Sequence, residues 1–236
     1  DIVGGGTPST KTKKYWGNDY YWATPKDLGQ INGVEINETE RKISQEGLSN
    51  SSAKLLPIGS VILSSRAPIG HVFINTVEMA TNQGCRSFIC GENIFNKYLY
   101  YFLFSNKELL NSLGSGTTFK EISGSTLKTI EIPLLPLLEQ KRIVKKLDQI
   151  FKEIDKAKKS AEKNLQNSRD LFKSYLNNVF ANPGKDWQTK KLGEVCDFYN
   201  GLWKGKKPPY MKVDVIRNTN FTRDGFLDNS NIANLQ

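Results

Sequence analysis

Residues 138–181 read LEQKRIVKKLDQIFKEIDKAKKSAEKNLQNSRDLFKSYLNNVFA, and their pattern decides the fold. Ile143, Leu147, Ile150, Ile154, Ala157, Ala161, Leu165, Phe172, Leu176 and Val179 step mostly by three or four, the period of one helix face. Asn164 and Ser168 take seam positions, so the stripe stutters there without ending. No Gly or Pro interrupts the run, and Lys, Glu, Asp and Gln fill the outer face as in a solvent-exposed coiled-coil helix. Asn182-Pro183-Gly184 stops it. At about 1.5 Å of rise per residue the helix makes a rod roughly 66 Å long. A rod of that length cannot bury its seam alone. The sequence holds no second helix of matching length, so either the chain dimerises or a longer protein supplies the partner.

Upstream of Pro133-Leu134-Leu135-Pro136 the pattern is different. Short β-like runs such as Ser60–Ser64 and Arg86–Cys90 alternate with Gly, Asn, Ser and Pro punctuation. One helical stretch interrupts them, from about Asn96 to Leu113, with Tyr98, Leu99, Tyr101, Phe102, Leu109, Leu110 and Leu113 at three-to-four spacing. The expected fold is α+β: a globular domain over 1–133, a long spacer helix over 134–182, and the start of a second domain over 183–236. A weak internal echo supports the last assignment, because Lys191–Gly201 ends in Asp-Phe-Tyr-Asn-Gly and can be laid over Asp1–Gly5. On that alignment the chain begins inside one domain copy and stops inside another.

The 236 residues carry 33 Lys and Arg against 24 Asp and Glu, a formal net charge of +9, which favours a polyanionic partner. With 38% hydrophobic and 11% aromatic residues there is material for a packed core, and wholesale disorder is excluded. A mean hydropathy of −0.48 and the lack of a long apolar run exclude a membrane-spanning helix, and the N-terminal residues do not read as a signal peptide. The expected setting is the cytoplasm. Cys85, Cys90 and Cys196 fit neither a disulfide framework nor a CxxC metal pair, and read as structural thiols.

Candidate contact residues lie in four loops. In the first, Gly4-Gly5-Gly6 precedes Thr7, Ser9, Lys11, Lys13, Lys14 and Tyr15, with Tyr21, Thr24 and Lys26 following. Glycines can bring backbone N–H groups near a phosphate, lysines neutralise it, and hydroxyls and aromatics reach sugars and base edges. The alternative is a flexible basic turn beside core aromatics, with Trp16 and Trp22 packing. In the second, Ser65 and Arg66 stand where a strand enters a turn, so Arg66 can fork onto guanine or phosphate, or pair with a carboxylate on the same rim. His71, the one histidine, has no fixed partner in sequence and reads as a packed or surface residue. In the third, Asn82 and Gln83 are amides of the type that reads adenine, though such amides also satisfy loop backbone. In the fourth, Thr117 and Lys120 follow Gly114-Ser115-Gly116, as a phosphate-facing loop or a plain helix stop.

Signatures of catalysis are missing: no HExxH, GxSxG, Walker loop, spaced GxGxxG or PD-(D/E)xK pattern can be placed. Pro208-Pro209-Tyr210 has the tail of a methyltransferase motif, but Lys207 stands where an acidic or amide residue is needed.

In order, Gly5-Gly6-Thr7-Pro8-Ser9, Tyr15-Trp16, Trp22–Leu28, Ser65-Arg66-Ala67-Pro68-Ile69-Gly70, Thr81-Asn82-Gln83-Gly84, Gly116–Ile122 and Ile132–Gln140 resemble the specificity subunit of type I restriction-modification systems. The resemblance covers residues 1 to 181, and 187–236 resembles the start of that family's second target recognition domain. It implies two recognition domains, each followed by a long helix, the helices paired antiparallel. The partner helix would come from beyond Gln236 or from a second copy. It further implies a non-catalytic subunit that reads one half of a bipartite target in double-stranded DNA. Methyltransferase (M) subunits, joined by a restriction (R) subunit, would dock on it through a seam of Ile143, Leu147, Ile150, Ile154, Leu165 and Phe172. S-adenosylmethionine and ATP would then belong to the partners, with no cofactor or metal in this chain. Trp203–Lys207 and Val215–Phe221 differ from the first domain at most positions, as a different half-site requires. Two other readings stay open: the recognition part of a fused restriction-methylation enzyme, and a coiled-coil adaptor that binds polyanions without sequence preference.

Overall fold

The computed structural model describes residues 1–31, 33–116, 120–197, 213–216, 218–221, 227 and 233–235. Its elements, in chain order, are β1 (Ile2–Gly4), β2 (Trp16–Ala23), α1 (Pro25–Gln30), β3 (Glu35–Ile36), β4 (Lys42–Ile43), α2 (Gln45–Ser49), β5 (Val61–Ser64), β6 (Val72–Asn75), β7 (Met79–Thr81), β8 (Cys85–Phe88), α3 (Asn96–Ser105), α4 (Lys107–Ser112), α5 (Gly124–Lys128), α6 (Leu137–Ala181), α7 (Leu192–Val195), β9 (Val213–Val215) and β10 (Ala233–Leu235). Contacts divide the chain into two compact units, Asp1–Gln166 and Asn167–Gln236.

In the first unit a five-stranded sheet has the order β1-β8-β5-β6-β3, with β3 parallel to β6 and the other pairs antiparallel. A second sheet, β4-β2-β7, pairs β2 antiparallel to β4 and parallel to β7. Both faces of the larger sheet are covered, which is why β5 and β6 read as unbroken apolar runs rather than alternating ones. Val61, Leu63, Val72 and Ile74 point to one core with Leu99, Tyr100, Leu103, Leu110, Ile122 and Val144. Ile62, Phe73 and Cys85 point the other way, to Leu28, Ile36, Leu56 and Met79. Trp22, Ile43, Ala53 and Ala80 form a smaller cluster around the second sheet.

The helical stretch expected over 96–113 is two helices, α3 and α4, broken at Asn106 (φ −101°, ψ 25°). The break re-aims the apolar face: Leu99, Tyr100, Tyr101, Leu103 and Leu110 are buried, while Tyr98 and Phe102 are half-buried and Leu109 is exposed. α6 starts at Leu137 and runs 45 residues without interruption.

In the second unit β9 pairs antiparallel with β10. At the end of α6, Phe180 meets Trp187 edge-on at 6.4 Å, and Trp187 N–H donates to Gly184 O at 3.1 Å. The internal echo ends at Phe198-Tyr199-Asn200-Gly201, and the Trp203–Lys207 motif follows it; both lie outside the described residues. Among the described residues, no helix is long and apolar enough to cross a membrane.

Candidate nucleic-acid interface

Loops far apart in sequence meet where β1 and β5 end and β8 begins. The register Gly4↔Arg86 and Ser64↔Cys85 puts these termini side by side, and Ala23↔Thr81 brings the ends of β2 and β7 to the same place. Backbone hydrogen bonds close the loops on one another. Gly6 N–H donates to Thr81 O (2.8 Å), Asn82 N–H to Ala23 O (2.9 Å), Ser65 N–H to Gly84 O (2.8 Å) and Ile122 N–H to Ser65 O (3.0 Å). Thr7, Thr24, Arg66, Asn82, Gln83 and Lys120 therefore come from one contiguous knot of loops.

Gly5 and Gly6 are there for packing. A Cβ on Gly5 would sit 1.9 Å from Asn82 O, and one on Gly6 2.2 Å from Ala53 N. Their N–H groups donate to Cys85 O and Thr81 O, so the expectation that these two amides cradle a phosphate is corrected.

Within the knot, Thr7 Oγ1 donates to Gln83 Oε1, joining the first and third loops side chain to side chain. Asn82 Oδ1 accepts from Gly84 N–H at 2.8 Å, the loop-satisfying role open to an amide. Thr24 caps α1 in a capping box: its hydroxyl accepts from Asp27 N–H at 3.3 Å and donates to Asp27 Oδ2 at 2.5 Å. Ser65 is fully buried. Arg66 takes the carboxylate option, with Nη1 3.6 Å from Glu121 Oε2. Thr117 lies outside the described residues.

The remaining candidates of the first loop lie on β2 and on the segments before and after it. Lys14 pairs with Glu46 at 3.2 Å and Lys26 with Glu40 at 2.6 Å; that carboxylate raises the Lys26 pKa. Such exposed pairs hold weakly. Lys11, Lys13 and Lys120 are exposed, with no ion pair among the described residues. Ser9 O accepts from Trp16 Nε1 at 3.2 Å, Tyr15 O accepts from Ser44 N–H at 3.1 Å, and Tyr21 lies under the Lys42 ammonium at 4.1 Å.

Sequence reasoning gave no contact role to Arg41, Arg86 or Glu121. Arg41 stacks 3.4 Å above the Trp16 ring, which itself meets Trp22 edge-on at 5.1 Å. Trp22 is buried, with Nε1 donating to Gly6 O at 2.9 Å. The signal for Arg86 and Glu121 was position: Glu121 lies inside the Gly116–Ile122 motif and Arg86 two residues past Gly84. Their pairing, across 35 positions, has no local signature.

The first turns of α6 belong to the globular packing. Gln140 is fully buried: Oε1 accepts from Phe95 N–H at 2.8 Å, and Nε2 donates to Asn93 O (2.9 Å) and Leu135 O (2.7 Å). Val144 enters the core and Leu147 packs against it. Asp148 accepts from Tyr101 Oη at 2.6 Å and from Lys97 Nζ at 3.3 Å, and Phe151 stacks on Tyr101 at 5.6 Å. Burial and the Asp148 hydrogen bond raise the Tyr101 pKa. Of the expected seam, Leu147 thus serves the domain, Ile143 is half-buried, and Ile150, Ile154, Leu165 and Phe172 are exposed. Beside this junction a cavity of about 420 Å³ is lined by Leu28, His71, Tyr100, Phe104, Lys107 and Phe151.

Residues 1–163 match the family model described as the type I restriction modification DNA specificity domain. The MjaIX type I restriction enzyme specificity subunit of Methanocaldococcus jannaschii is 33% identical over an alignment of 254 positions, covering 99% of this chain and 59% of that protein. The EcoR124I/EcoR124II specificity subunit of Escherichia coli is 32% identical over 152 positions, covering 61% of this chain and 37% of that protein. The chain therefore spans less than two thirds of the length of these relatives. Among solved structures, a chain from work on complex assembly and conformational transition of the type I R-M system has the same fold. It has a TM-score of 0.60 at 24% identity, over 76% of this chain and 43% of that one. The crystal structure of the HsdS subunit from Thermoanaerobacter tengcongensis has a TM-score of 0.53 at 25% identity, over 68% of this chain and 37% of that one.

Proposed function

This chain belongs to the type I restriction-modification DNA specificity family, and from that premise we propose that residues 1–133 read one half of a bipartite sequence in double-stranded DNA. The observation that carries the reading is the convergence of Thr7, Arg66, Gln83 and Lys120 on one knot of loops, together with exposed Lys11, Lys13, Lys14 and Lys26 on the segments before and after β2. Exposed lysines make salt-sensitive phosphate contacts that set register, and fork- or amide-bearing side chains held by a rigid frame read base edges.

Residues 134–182 act as the spacer. Their exposed Ile150, Ile154, Leu165 and Phe172 take an antiparallel helix from outside this sequence or from a second copy, and dock methyltransferase subunits, with a restriction subunit joining for cleavage. Residues 183–236 begin a second recognition domain. On this reading the chain itself is non-catalytic and acts in the cytoplasm, with S-adenosylmethionine and ATP handled by the partners.

The test is selection from a randomised duplex pool by this chain with its methyltransferase partner, near physiological salt. An enriched motif is the expected result. Salt-sensitive retention without enrichment sinks the reading and leaves a polyanion-binding adaptor.

A further inference from the structure

Two arginines share one carboxylate in the loop knot. Glu121 Oε1 is 3.1 Å from Arg86 Nη2, and Glu121 Oε2 is 3.6 Å from Arg66 Nη1. The two cations differ in how they are held. Arg86 Nη1 also donates to the carbonyls of Gln83 and Cys85, each at 3.1 Å, which roots this guanidinium in the turn that carries Gln83; its side chain is 20% exposed. Arg66 has only the long contact to Glu121 among the described residues, and its side chain is 33% exposed. Most of its five N–H donors therefore remain available. Gly84 gives it room, since a Cβ there would lie 3.1 Å from Arg66 Nε and 3.0 Å from Pro25 Cγ.

We propose that Glu121 is a positioning and discriminating residue for Arg66: it holds the Arg66 fork over the Gln83 turn and biases it toward a neutral base edge rather than a phosphate. This rests on the reading of the loop knot as the DNA-facing surface. Two guanidinium groups and one carboxylate leave the cluster with a single excess positive charge. A phosphate brought to Arg66 meets the Glu121 carboxylate as a like charge close by, whereas the acceptor pair of a guanine edge carries no net charge. Without the carboxylate, both arginines would attract any phosphate, and retention would follow charge rather than sequence. Arg86 serves as the anchor, tying Glu121 to the Gln83 turn so that Arg66 and Gln83 move as one rigid set.

The test compares the wild-type chain with Glu121→Gln, each with the methyltransferase partner, in the duplex selection and in binding to an unrelated duplex across a salt series. Glu121→Gln should bind the unrelated duplex more tightly, with a salt slope steeper by about 0.9 for one further phosphate contact. Preference at one base position should fall by about tenfold, with the other positions unchanged. Glu121→Asp should recover part of that preference. In an Arg66→Ala background, Glu121→Gln should no longer affect that position. Arg66→Lys, which keeps the charge and loses the fork, should lose the same preference with an unchanged slope. An unaltered motif and slope in Glu121→Gln, an even loss at all positions, or full preference in Arg66→Lys each overturns the role of Glu121. If the wild-type chain enriches no motif, the DNA reading itself fails and this inference falls with it.

Discussion

Gly84 and His71 show how single residues acquire meaning from neighbours that sequence does not reveal. Gly84 reads locally as a turn residue, yet the atoms that a Cβ there would crowd belong to Pro25 and Arg66, from two other loops. Asn82 reads as an adenine reader or, as is commoner for such amides, a loop brace, and the 2.8 Å hydrogen bond from Gly84 N–H shows it bracing. His71 has no partner in sequence, but in the fold burial and Lys107 lower its pKa from the ordinary 6.5. The folded chain therefore takes up this proton less readily than the unfolded chain. The stability that depends on neutral His71 is complete above pH 6.5 and is lost as pH falls below that value toward the folded pKa. Thermal unfolding should show a larger drop in Tm between about pH 7.5 and about pH 5.5 for the wild type than for His71→Asn. Equal drops would remove His71 as the cause.

At the scale of elements, α6 was legible almost to the residue, because an apolar period sustained over many turns is hard to mistake. Its division of labour was not legible. Val144, about a quarter turn from the readable stripe, is the residue that enters the core, and Gln140 reads as one more polar residue although it makes three buried hydrogen bonds. Gln140→Leu would strand Phe95 N–H and the carbonyls of Asn93 and Leu135, and should cost about 2 kcal/mol or more in denaturant unfolding of the first unit. Leu147→Asn should lower that transition by about 2 kcal/mol, because the side chain packs on the core. Ile154→Asn should change it by no more than about 0.5 kcal/mol, because Ile154 is 54% exposed. If both Asn variants lower the transition equally, the helix beyond Phe151 contributes to that unit. The break at Asn106 was hidden for a related reason: Phe102 and Leu109 on either side of it are seven residues apart and stay in helical phase.

For the molecule as a whole, the first unit ends at Gln166, well beyond the last α6 residues that touch its core, Leu147 and Phe151. A chain ending at Gln166 should keep the unfolding transition of the first unit within about 0.5 kcal/mol. A larger loss would mean that residues beyond 166 stabilise it.

By itself, the sequence determined the α+β class, the long helix and its limits, and, through short motifs in a fixed order, the family. These are local or ordered patterns, and a helix or a motif needs only its own neighbours to be recognised. Only the tertiary structure decided that the motifs converge on one knot, that Gly5 and Gly6 serve close packing, that Leu147 belongs to the domain, and that Glu121 joins Arg66 to Arg86. Each depends on strand register or on contacts across tens of residues, and those are set by the packing of the whole unit rather than by any local preference of the chain.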